Sequence, residues 1–276
     1  MEVRHTRRHP GLAALAKVAL MFLPAIPAYL WLWPNVEGTA WLMPVQVAVY
    51  LYFLAGCLLI GLRRWNLGQL GLNWHGLGLS LTCGTVVLTI LVLGRLATDL
   101  SPSPQPLTLR RLAGEIAFYF GLVGPIEELL FRGLIYRALD EWRGARWAIW
   151  GSALAFGLYH IGWQGLLGAL GCAFLGLLFG AIRWRAGGIV GLILMHGLID
   201  VVNVELYPGL TVEQVRDIHV VHPALALLGD GLLLALLLYL WKFGQPSKAR
   251  NRSPGVGPPP DIGRDEEIEP KGHSPE

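Results

Sequence analysis

The chain has 276 residues, of which 54% are hydrophobic and only 15% charged, with a formal net charge of +3. Ordinary soluble domains carry about 25% charged residues, so this composition excludes a conventional soluble globular domain and indicates a polytopic membrane protein. Its Lys and Arg residues form no stripe on a soluble face, which argues against nucleic acid as a partner.

The N-terminus carries basic residues and then an apolar stretch without a small-residue cleavage pattern; it reads as a retained first helix. Windows of about 20 apolar residues continue along the chain. The expected spans are 12–33, 43–62, 77–97, 115–136, 146–163, 166–184, 188–206 and 223–242. Spans 5 and 6 are joined by a short GWQG turn, and spans 4 and 7 are the least apolar. Segments of this kind satisfy every backbone group internally only as helices, and no period-two alternation suggests a barrel. The expected fold is all-α, with eight transmembrane helices in residues 1–243. The Pro-, Gly- and charge-rich segment 244–276 reads as a disordered cytoplasmic tail. Cys57, Cys83 and Cys172 all fall in apolar runs and read as small buried hydrophobes.

With the N-terminus in the cytoplasm, basic residues alternate sides as the positive-inside rule requires. Arg4, Arg7, Arg8, Arg63, Arg64, Arg137, Arg143, Arg146, Arg183, Arg185, Lys242, Lys248, Arg250 and Arg252 fall inside, against Arg110, Arg111 and Arg216 outside. Both termini are therefore expected in the cytoplasm. No internal repeat of the kind common in transporters is evident.

Polar residues inside the spans mark the place where function is expected, because a charge at bilayer depth is costly. Span 4 carries Glu127, Glu128 and Arg132, span 5 Phe156 and His160, span 7 His196 and Asp200, and span 8 Asp230. Residues four apart share a helix face, so Glu128 pairs with Arg132. Glu127, turned about 100° away, stays outside that pair. At about 1.5 Å per residue, Glu127 lies roughly 15 Å from the cytoplasmic helix end, His160 roughly 21 Å, His196 roughly 12 Å and Asp200 roughly 18 Å. A single polar cluster near mid-membrane follows. Asp230 reads as a packing or solvated residue, Arg95 as a snorkelling one, and His219 and His222 as solvated loop residues.

The patterns Glu127-Glu128-Leu-Leu-Phe-Arg132, Phe156-Gly-Leu-Tyr-His160 and His196-Gly-Leu-Ile-Asp200, in this order on successive spans, resemble the CAAX-processing and bacteriocin-processing (CPBP, or Abi) family of intramembrane proteases. The resemblance covers roughly residues 115–206. It implies that Glu127 is the catalytic glutamate, that His160 helps it activate a water, and that His196 and Asp200 hold the oxyanion. Glu128, Arg132 and Phe156 would support the site. Eukaryotic CAAX-processing relatives have Asn where this chain has Asp200. An ionised Asp accepts hydrogen bonds only, so Asp200 either is protonated or orients His196. No cofactor is expected. A zinc-dependent version, with Glu127, His160 and His196 as ligands, stays chemically open. The implied partners are membrane lipid and a membrane-tethered or hydrophobic peptide substrate, and the implied location is a bacterial inner membrane. A proton-coupled transporter and a non-catalytic bacteriocin-immunity protein are the competing readings.

Overall fold

The computed structural model describes residues 10–96, 108–206 and 223–243. His219, His222 and the segment 244–276 lie outside the described residues, as does the side chain of Arg95. Every regular element among them is helical: α1 (Pro10–Val36), α2 (Leu42–Gly61), α3 (Leu77–Leu96), α4 (Leu109–Phe118), α5 (Gly124–Glu128), α6 (Tyr136–Arg143), α7 (Ala145–Ala186), α8 (Val190–Leu206) and α9 (Pro223–Phe243). Two π-helical turns, π1 (Tyr119–Val123) and π2 (Leu129–Ile135), join α4, α5 and α6 into one rod.

Eight helical stretches thus stand where the hydropathy pattern places them. Four are long and apolar enough to cross a membrane: Pro10–Pro27, Leu42–Gly61, Leu77–Gly94 and Gln164–Ala186. Val190–Val204 is a shorter apolar helix. The rod from α4 to α6 owes its lower hydropathy to Arg110, Arg111, Glu115 and the buried charges of α5 and π2. The chain is an all-α, integral membrane protein. Its outward surface agrees with that, since Leu20, Leu23, Ile26, Leu59, Leu170, Leu227 and Leu238 are each more than half exposed, or close to it. In water such a surface would be a liability, whereas lipid tails cover it at no cost.

Helix α7 covers both the fifth and the sixth expected spans. Gly165, at φ 65° and ψ −174°, breaks it into two halves, a backbone state that only glycine adopts readily. The halves fold back on one another through small residues: a Cβ on Gly157 would lie 2.6 Å from the carbonyl oxygen of Ala169. Small-residue faces of this kind let helix backbones approach closely without a hydrophobic driving force. The chain reversal comes at Gly165 alone, while Gly162 and Gln164 remain helical.

The core surrounds the rod. Leu130, Phe131, Leu134, Phe156, Leu178, Phe179, Ile182 and Leu192 are each almost fully buried. Helix α8 packs on π1, α5 and α3, α7 on α6 and π2, and α2 on π2. The α5–π2 stretch is therefore enclosed by α2, α7 and α8.

Candidate active site

Glu127 and Glu128 sit on α5, a single ordinary turn held between the two π turns. Wide turns of this type recur at functional sites because they redirect side chains without ending a helix. Gly124 makes the local approach possible. A Cβ there would lie 3.0 Å from the Ile193 carbonyl and 3.4 Å from the Gly197 amide, so α5 meets α8 almost backbone to backbone. That approach sets both carboxylates against His196.

Five polar residues meet here in a buried cluster: Glu127 is 3% exposed, Glu128 and Arg132 0%, His160 7% and His196 4%. Glu128 Oε1 accepts from Arg132 Nη1 at 2.9 Å, as the four-residue spacing requires, and also from His196 Nδ1 at 2.7 Å. Charged donors and acceptors pair strongly in such surroundings. Arg132 lies over the faces of Phe156 and Phe179, with its guanidinium carbon 4.3 and 5.2 Å from the ring centres. Phe156 therefore supports the arginine as well as the imidazole of His160, whose ring centre is 4.5 Å away.

The orientation of the two histidines follows from their partners. His160 Nδ1 lies 2.8 Å from the Phe156 carbonyl, which can only accept, so Nδ1 carries the proton. His196 Nδ1 is fixed on the Glu128 carboxylate by the same argument. Both rings then turn Nε2 toward Glu127, whose Oε2 is 3.6 Å from His196 and 4.0 Å from His160. These separations are too long for direct hydrogen bonds and suit a bridging water. Among the described residues, Glu127 Oε2 has no hydrogen-bond partner. Asp200, one turn beyond His196, places Oδ2 3.5 Å from His196 Nε2, and its side chain is 24% exposed. Asp230 lies on the exposed side of α9.

One neighbour escaped the sequence reading. Tyr50, on α2, donates its hydroxyl to Glu127 Oε1 at 3.0 Å. Nothing in the local sequence marks it, because a tyrosine in an apolar span is common. Tyr52, two residues on, spends its hydroxyl on the Met21 carbonyl instead.

As to a metal, no group of three or more His, Cys, Asp or Glu side chains among the described residues is arranged to hold an ion.

A buried carboxylate facing two imidazoles, deep in an all-helical membrane protein, is the kind of site a hydrolase needs. The family comparison agrees: residues 110–202 match the model described as "Type II CAAX prenyl endopeptidase Rce1-like". The matched segment contains all three motifs. Neither curated proteins nor solved structures gave a match to the chain.

Proposed function

We propose that the protein hydrolyses a peptide bond in a membrane-tethered or hydrophobic peptide, with Glu127 as general base. The observation that carries this reading is the convergence of Glu127 Oε2 with Nε2 of both His160 and His196. A water held among these three atoms loses a proton to Glu127 and attacks the carbonyl carbon. His160, with its proton on Nδ1, accepts from that water through Nε2. His196 Nε2, when it carries a proton, donates toward the developing oxyanion; loss of one such donor elsewhere costs about 2.7–4 kcal/mol. The proton taken from water then passes to the leaving amine as the C–N bond breaks. Asp200 orients His196 rather than touching the oxyanion, because an ionised carboxylate offers no donor. Glu128 and Arg132 hold the imidazole from behind.

The substrate class is a prenylated C-terminal peptide or an unprenylated hydrophobic one. The setting is a bacterial inner membrane with both termini in the cytoplasm, supported by the distribution of basic residues. The full chain in liposomes, supplied with a fluorogenic peptide carrying a farnesylated Cys three residues from its C-terminus, tests the proposal. Mass-spectrometric comparison of membrane peptides with and without the protein widens the search. Glu127→Gln is expected to reduce cleavage by about 10³-fold or more while the folded yield persists. Cleavage that survives this change overturns the mechanism. Cleavage lost on chelation and restored by zinc transfers the water to a metal. Proton-coupled flux across the vesicle without cleavage selects the transport reading.

A further inference from the structure

The catalytic carboxylate has two oxygens, and the fold treats them differently. Oε2 faces the two imidazoles. Oε1 faces away and accepts the hydroxyl of Tyr50, 77 residues earlier in the chain. The phenol is itself held in place. Its ring packs edge-on against Phe118, centre to centre 6.0 Å.

We infer that Tyr50 is a positioning residue for the hydrolytic reaction: it holds Glu127 Oε1 so that Oε2 alone is presented to the water and the imidazoles. The inference rests on the protease reading given above. Its physical ground is the soft terminal torsion of glutamate, which is broad and two-fold rather than locked in a staggered well. Burial alone does not choose between the two oxygens. A donor on one of them does, and it sets the plane of the carboxylate as well. A general base must lie within hydrogen-bond reach of the proton it takes, so a rotated carboxylate spends most of its time out of use. Substrate binding does not depend on that torsion. The effect of removing the hydroxyl therefore falls on kcat.

The test compares Tyr50→Phe, Tyr52→Phe and Glu127→Gln in the full-length protein, reconstituted in liposomes with the farnesylated fluorogenic peptide. Tyr50→Phe keeps the ring that packs on Phe118. It is expected to lower kcat about 10-fold, the scale of one hydrogen bond to a charged group, with KM changed less than about twofold and the thermal midpoint within the range of Tyr52→Phe. Tyr52→Phe loses an equivalent hydroxyl from the same helix and is expected to keep wild-type kcat. An unchanged kcat in Tyr50→Phe overturns the inference. So does a raised KM at constant kcat, which would place the phenol on the substrate.

A second measurement needs no substrate. Labelling of Glu127 by the hydrophobic carbodiimide dicyclohexylcarbodiimide, read by peptide mass spectrometry, is expected to rise several-fold in Tyr50→Phe, because Oε1 loses its cover. Equal labelling overturns the inference whether or not any peptide is cut. If Glu127→Gln cleaves like wild type while labelling rises in Tyr50→Phe, the protease mechanism fails and the positioning of Glu127 stands.

Discussion

Arg132 is fully buried, and its position rests on three side chains. It gives one hydrogen bond to Glu128 and lies over Phe156 and Phe179. Among the described residues its Nε and Nη2 have no hydrogen-bond partner, so the aromatic faces carry much of the burden of its burial. Arg132→Ala leaves Glu128 with His196 alone and is expected to cost about 3–5 kcal/mol, seen as a lower thermal midpoint and a smaller folded yield in detergent. Arg132→Lys is expected to recover only part of that, because an ammonium lacks the planar face that the two rings hold. The Glu128–Arg132 pair was legible from spacing, since four residues is one helical turn. The bond from His196 to Glu128 was not: it joins side chains 68 positions apart, and only the approach of α8 to Gly124 creates it. Tyr50 was illegible for a related reason. It and Tyr52 look alike in sequence, and the partner each hydroxyl meets is decided by neighbouring helices.

At the level of elements, the eight stretches were readable because lipid demands long apolar helices. Their interruptions were less so. The reversal between the two halves of α7 was signalled by its glycines, whereas the two π turns around α5 have no mark in hydropathy. The α7 hairpin depends on side-chain absence at Gly157, where a Cβ would meet the backbone oxygen of Ala169 at 2.6 Å and Ala173 Cβ at 2.7 Å. Backbone atoms cannot turn aside as a flexible side chain does. Gly157→Val is expected to destabilise the fold by about 1–3 kcal/mol, measured as a fall in thermal midpoint. Gly171→Val, on the same helix with nothing within 4 Å of the added carbon, is the matched control and is expected to leave the midpoint nearly unchanged.

Across the whole molecule, the loop between α2 and α3 locks separate parts together. The Ile189 amide donates to the Gly71 carbonyl at 2.7 Å, and Asn73 Nδ2 to the Gly187 carbonyl at 3.3 Å, tying the loop to the α7–α8 turn. Arg64 and Trp65 both reach Glu141 on α6. The hydrogen bond from Arg64 holds the Glu141 carboxyl below its usual range. Its ionised form is thus favoured by folding, and the contribution is present at neutral pH and lost as pH falls through that depressed value. The pair is partly solvated, so the stake is no more than about 1 kcal/mol. The difference in thermal midpoint between wild type and Glu141→Gln is expected to be small at pH 7 and to vanish on acidification below the ordinary carboxylate range, while a difference that grows on acidification would contradict this assignment. The hydrogen bond from Tyr50 to Glu127 has a broader consequence. Tyr50 stands on α2, sixty positions before the recognised domain begins. Recombining residues 110–202 with a foreign scaffold would transplant all three motifs yet leave behind the phenol bonded to Glu127, so inheriting the motifs and inheriting their surroundings are separate matters in this chain.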